Sequence, residues 1–182
     1  EALRKQQQLL VFCSSRKACE LKCEMVARCY EAYFSQQPLT QEMERKKDAR
    51  KNLLATLSNN STEWAGHVVN DRILSESIIS GVAFHHAGLT SVERGAVESG
   101  FRAGDLSIVV ATSTLATGVN LPADVVVITS RFQGNTSIDT VQYRQMVGRA
   151  GRPGGGKKSA SSYLLVRETK QNSVPPSTGG NK

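Results

Sequence analysis

Two runs of β-branched residues constrain this chain more than anything else in it: residues 106–112 read LSIVVAT and residues 125–129 read VVVIT. A strand with one face in water alternates apolar and polar side chains, whereas a strand covered on both faces is apolar throughout, as in parallel sheets flanked by helices. A third run, LLVFC at residues 9–13, has the same character and ends in Ser14 and Ser15. Residues 81–88 (GVAFHHAG) read as a fourth short strand closing in two histidines and a small-residue turn. Helical patterns lie between these runs. After Ser15, an N-cap residue, Ala18, Leu21, Met25, Cys29 and Ala32 fall on one helical stripe. Thr90 and Glu93 form a capping box that opens a helix through about Phe101, ending near Gly104. Strand, helix, strand, helix, strand predicts an α/β fold with an open parallel sheet and helices on both faces.

The 182 residues, 39% hydrophobic and 21% charged, fit one domain with a real core. The net charge of +7 favours a polyanionic partner, although a basic tail and loops would produce it too. No apolar run approaches the ~18 residues a membrane-spanning helix needs, so no membrane partner is expected. The chain opens Glu1-Ala2-Leu3 with neither an initiator methionine nor a signal-peptide pattern, which reads as an intracellular fragment. Cys13, Cys19, Cys23 and Cys29 are spaced six, four and six apart, fitting no common zinc pattern. They read as reduced, mostly buried thiols, and no metal site is assigned. Residues 36–76 carry a charged run (EMERKKDARK), then Leu53, Leu54 and Leu57, then the polar SNNST; an exposed helix and a loop are expected, without chemistry.

Candidate chemistry gathers in five places. At Ser15 and Arg16 the positive end of a helix dipole meets free backbone N–H groups, a corner suited to phosphate and equally to a plain N-cap. His85 and His86 are neighbours on a strand, so they point to opposite faces and do not readily share a ligand; structural or nucleic-acid-contact roles fit them better than metal. Residues 113–123 (STLATGVNLPA) follow the carboxyl end of a strand, where open α/β sheets hold their ligands, but 118–122 alone also read as an ordinary turn. Residues 131–138 (RFQGNTSI) place Gly134 and Asn135 at a tight hairpin whose working tip would be an exposed Phe132. Asp139 and Gln142 form a second capping box, opening a helix through QYRQMVGRAGRPG. On a continuous helix Gln145, Arg149 and Arg152 stand at i, i+4 and i+7, one face of an amide and two guanidiniums suited to anionic oxygen. Gly148 and Gly151 keep that face open to a ligand or a facing domain. A basic surface helix capped by Gly151 before Pro153 is the plainer alternative.

Taken in order, LLVFCSSRKACE, GVAFHHAGLTSVER, ATSTLATGVNLPA and QYRQMVGRAGR resemble motifs IV, IVa, V and VI of superfamily-two DExH helicases. Within that group the chain is most similar to the helicase region of DNA polymerase theta and its relative helicase Q, repair helicases of the superkiller-like branch. The resemblance implies the second RecA-like domain of a two-domain ATP motor. The resemblance covers about Leu9 to Val166, and the domain it implies spans residues 1–168, with a variable insertion at 36–76 and a disordered tail at 169–182. Gln145, Arg149 and Arg152 correspond to residues that face the nucleotide, the arginines neutralising charge on the transferring phosphoryl group. Gly118 and Asn120 match positions nearest the ribose and phosphates. Thr112 and Ser113, Ser15 and Arg16, and the backbone around His86 and Gly88 match nucleic-acid contacts. Residues 131–138 occupy the place of the strand-separating hairpin, which makes Phe132 a stacking candidate. Where the family pattern continues from LPA into a basic residue, Asp124 stands here, and GGGKKSASS replaces the residues expected after motif VI, with a last apolar piece at Tyr163 to Val166 beyond it.

The resemblance further implies ATP and Mg, both held mainly by the preceding RecA-like domain, single-stranded or forked DNA as partner, and work in the nucleus. The sequence contains no G-x-x-x-x-G-K-S/T loop and no DExH box, so nothing in it cradles the β-phosphate or binds magnesium. Alone, the chain is not expected to hydrolyse ATP. The alternatives are a non-catalytic basic nucleic-acid-binding module and an RNA helicase of the same branch.

Overall fold

The computed structural model describes residues 7–59, 72–113, 115, 119, 121–133, 136–151 and 161–164. Five strands form one sheet: β1 (Leu9–Cys13), β2 (Val82–His85), β3 (Ile108–Thr112), β4 (Val125–Ile128) and β7 (Ser161–Leu164), in the order β2-β3-β1-β4-β7. Every pairing is parallel. The apolar runs are therefore fully covered strands, as expected: β2 and β3 are buried at every position. A short antiparallel pair, β5 (Phe132–Gln133) and β6 (Thr136–Ser137), stands apart from the sheet.

The helices are α1 (Arg16–Phe34), α2 (Gln41–Asn59), α3 (Arg72–Ser80), α4 (Ser91–Ala103) and α5 (Thr140–Val147). Their ends follow the side-chain chemistry. Ser15 caps α1 by accepting the Ala18 N–H, and Thr90–Glu93 and Asp139–Gln142 are both complete capping boxes. Gly104 ends α4 in the left-handed region at φ 82°, where a Cβ would be strained. Helices cover both faces. His85 reaches Glu98 on α4 while its neighbour His86 reaches Glu20 on α1, so these two helices lie on opposite sides of β2.

Three expectations need correction. The buried stripe of α1 is Cys19, Cys23, Ala27 and Tyr30, whereas Leu21 and Met25 are 53% and 58% exposed. Cysteine behaves as a small hydrophobe, and small side chains let the helix lie close to the sheet; counting only long apolar residues selects the wrong face. The helix at 41–59 is not merely exposed, because Leu57 is 2% exposed and Leu53 and Leu54 pack against the core. Arg50 of the same helix donates to the carbonyls of Asp105 (2.7 Å) and Ile79 (3.3 Å). Its guanidinium lies flat against Gly81, where a Cβ would sit 2.6 Å from Arg50 Cζ. Finally, the last strand is Ser161–Leu164, pairing Val125↔Ser161 to Ile128↔Leu164, rather than a piece beginning at Tyr163. Trp64, His67 and residues 169–182 lie outside the described residues. No helix among the described residues is long and apolar enough to cross a membrane.

Candidate functional site

Parallel strands deliver their carboxyl ends to one edge, and the register decides which residues meet there. Cys13 stands level with Thr112, and His85 with Ala111. Ser14 and Ser15 therefore emerge beside Ser113, and His86 beside Thr112. Three segments distant in sequence thus share one edge of the sheet. Ser15 and Arg16 are exposed at the start of α1, and Arg16 has no carboxylate partner among the described residues. Thr112 and Ser113 are both 7% exposed, at the rim rather than on the surface. On the fourth strand Thr129 donates its hydroxyl to the Phe12 carbonyl (2.9 Å) and to Cys13 Sγ (3.7 Å), locking the ends of β4 and β1 together. Hydrogen bonding from Cys19 and Thr129 holds the Cys13 thiol below its ordinary pKa despite burial, while the same bond to Cys13, together with burial, pushes the Cys19 thiol up. All four cysteines are free, with Cys29 alone exposed.

The two histidines have carboxylate partners that no sequence neighbour announces. His85 Nε2 lies 3.0 Å from Glu98, and its pKa is lowered chiefly by burial, with Glu98 opposing the shift. His86 is 4% exposed, so its side chain is below the surface while Gly88 is exposed. His86 Nδ1 accepts the Gly88 N–H at 3.1 Å, which consumes the donor that a backbone contact at Gly88 would have offered. Among the described residues no group of three or more His, Cys, Asp or Glu is placed to hold a metal ion.

The hairpin forms as an antiparallel pair, Phe132↔Ser137 and Gln133↔Thr136, with Gly134 and Asn135 outside the described residues. Phe132 is 50% exposed, one pair back from the turn rather than at its tip.

The arginine-bearing segment departs from its expected form. Helix α5 ends at Val147, so Gln145 and Arg149 do not lie on one continuous helix. Gln145 is exposed on the helix. Beyond it the turn tightens to i→i+3 bonding, with Arg149 N–H to Met146 O (3.1 Å) and Ala150 N–H to Val147 O (2.9 Å). Gly151 then takes φ 102°, which ends the helical path, and Arg152 lies outside the described residues. The physical reason is a competing partner for the backbone. Ala123 N–H donates to Arg149 O and Gly151 N–H donates to Ala123 O, both at 2.9 Å, making a parallel bridge from Ala123 to Ala150. Gly148 serves the same turn, since a Cβ there would lie 3.0 Å from the Arg144 carbonyl.

That bridge joins the segment after β3 to the turn that carries Arg149, and the junction precedes β4 at its amino end. Gly118 and Asn120 belong to this connection but lie outside the described residues. Asp124, the departure noted in the sequence, is 9% exposed and accepts the Gln8 backbone N–H at 2.8 Å. Its backbone N–H returns to Gln8 O at 3.1 Å, so the carboxylate pins the roots of β1 and β4. Neither the Gln8 partner of Asp124 nor the carboxylate partners of the histidines carried a signal in the sequence, because each pair joins residues that no local pattern connects.

A five-stranded parallel sheet with helices on both faces and an arginine-bearing turn beside its fourth strand is the architecture of RecA-like α/β domains. Residues 38–154 match the family described as helicase conserved C-terminal domain, and the chain belongs to that family. It is 38% identical to DNA polymerase theta of Mus musculus over 177 residues, 96% of this chain and 7% of that protein. To the helicase POLQ-like protein of Homo sapiens it is 36% identical over 162 residues, 89% of this chain and 14% of that one. With the ATP-dependent DNA helicase Hel308 of Thermoplasma volcanium it shares 43% identity over 112 residues, 55% of this chain and 17% of the relative. The chain thus spans a small part of each relative. The resemblance to a C-terminal RecA-like domain of the DNA polymerase theta or helicase Q type is borne out.

Proposed function

We propose that this domain is the second motor half of an ATP-dependent DNA helicase or translocase acting in DNA repair in the nucleus. The observation that carries the reading is the bridge from Ala123 to Arg149–Gly151. It ties the connection holding Gly118 and Asn120 to the arginine turn, away from the strand-end edge, so one domain presents two anion-directed surfaces. The edge, with Ser15, Arg16, Thr112 and Ser113 and the turn that carries Gly88, takes the backbone of single-stranded or forked DNA. The turn, with Gln145, Arg149 and Arg152, faces a nucleotide held by a preceding RecA-like domain.

ATP is the substrate in this reading and Mg its counter-ion. The groups on the turn fit a triphosphate: guanidiniums and a backbone opened by two glycines supply positive charge without covalent chemistry. They do not fit magnesium, which needs oxygen ligands, so the metal belongs to the preceding domain. Arginine at this place neutralises charge that develops as the γ-phosphoryl group transfers. Closure brings the turn to the nucleotide while the edge holds the strand, and release after hydrolysis lets the strand step. Phe132 on its hairpin stacks on a base at the fork.

The test is DNA-stimulated ATP turnover by the full-length protein carrying Arg149→Ala or Arg152→Ala. Turnover at saturating DNA is expected to fall by about 10³ or more, the scale of an arginine finger, with the DNA concentration for half-saturation little changed. Near-normal turnover in both variants removes the motor role and leaves a basic nucleic-acid-binding module.

A further inference from the structure

The reading above uses the backbone beyond β2 but gives the buried His86 ring nothing to do. That ring stacks on Phe84, with centroids 5.0 Å apart and planes 26° apart. Its Nδ1 accepts the Gly88 N–H at 3.1 Å, so in the neutral ring the proton sits on Nε2. Nε2 lies 3.4 Å from Glu20 Oε1 on the first turns of α1, close enough for its N–H dipole to be attracted by the carboxylate but without an aligned hydrogen bond. The other Glu20 oxygen takes the Lys17 ammonium at 3.3 Å. Gly88 rests directly on this assembly: a Cβ there would meet His86 Nδ1 at 3.0 Å and Arg16 Cδ at 3.6 Å.

One imidazole therefore touches both halves of the edge. Through Glu20 it is tied to the helix start that carries Ser15 and Arg16, and through Nδ1 to the turn that carries Gly88. We propose that His86 is a positioning residue, fixing the turn after β2 against the amino end of α1 so that both grip one stretch of nucleic-acid backbone. The inference rests on the reading of this edge as the nucleic-acid surface. It replaces direct contact by the His86 side chain with action through Gly88 and Arg16. An edge assembled from two separate segments needs such a tie, because a phosphate contact is lost when its donors drift by an ångström.

The experiment titrates ATP turnover of the full-length helicase with single-stranded DNA and records thermal melting of each variant. Glu20→Ala removes one anchor of the ring from a partly exposed position, and His86→Ala removes the ring. Both are expected to raise the half-saturating DNA concentration about tenfold, while turnover at saturating DNA holds. His86→Asn, whose Oδ1 replaces Nδ1 as the acceptor for Gly88, should recover part of the loss. Arg16→Ala reports on the surface itself. If Arg16→Ala weakens DNA binding while Glu20→Ala and His86→Ala do not, the positioning role is overturned and the surface stands. If none of the three moves half-saturation, the surface reading falls and the inference with it. Turnover and melting temperature dropping together in His86→Ala, with Glu20→Ala silent, would make the ring ordinary core and overturn the proposal.

Discussion

The strand-end edge and the arginine turn are built by different means. At the edge, side chains do the fixing: Thr129 bonds to Phe12 and Cys13, His86 to Gly88, Ser15 to the start of α1. At the turn, the backbone does it, through the Ala123 bridge to Arg149 and Gly151. Side-chain ties vary with residue identity and protonation, whereas a backbone bridge flanked by glycines depends on the absence of side chains. Substitutions should therefore act on the two surfaces separately. On the proposed function, edge variants should change how DNA is held and turn variants how fast ATP is consumed.

Phe132→Ala offers the largest break in that separation. Stacking of one base on an aromatic ring contributes about 1–3 kcal/mol, so unwinding of forked DNA by the full-length protein should slow roughly tenfold. DNA-stimulated ATP turnover should stay near the unsubstituted level, because stacking is a contact with a base and not with the nucleotide. A parallel fall in turnover would mean that the two surfaces are not separable.

A smaller effect is expected at Asp124, which supports the turn from below through the β4 root. Asp124→Ala leaves the buried Gln8 N–H without its acceptor, a loss of about 1–3 kcal/mol. For a domain of this size that is a fall of several degrees in melting temperature. Asp124→Asn keeps an acceptor oxygen and should recover most of the difference. If Asn is as damaging as Ala, packing rather than the hydrogen bond holds the two roots together.

How far the sequence was legible follows the same division. Strands of β-branched residues, the two capping boxes, the Ser15 cap and the Gly104 stop all depend on residues within a few positions of one another, and the sequence displays them. That Ser15, Gly88 and Thr112 each stand at or just past a strand end was legible for that reason, whereas their shared role came only from the family resemblance. What failed depends on partners remote in the chain. Helical spacing placed Gln145, Arg149 and Arg152 on one face, but Ala123, outside the segment, claims the backbone and ends the helix at Val147. The carboxylates of Glu20 and Glu98 reach the histidines only because α1 and α4 cover opposite faces of β2. The α1 stripe failed for another reason: two stripes competed, and the depth of the sheet surface chose the one with smaller side chains.

The gentlest probe is protonation of His85, which lies beneath the edge and away from the turn. Burial lowers its pKa, against the pull of Glu98, with Arg94 and His86 adding in the lowering direction. With the folded value depressed, the unfolded chain binds the proton first as pH falls below the ordinary value of about 6.5. The stability contributed by neutral His85 is then complete above that pH and is lost progressively as pH drops toward the folded value. Denaturation midpoints measured from pH 7.5 down to pH 5.5 should be level at first and then decline. His85→Gln, which cannot take up that proton, should flatten the decline. Equal slopes in the two proteins would move the acid-sensitive group elsewhere. A flattened slope would identify the side-chain-built edge as the part of the domain that responds to protons, with the backbone-built turn indifferent to them.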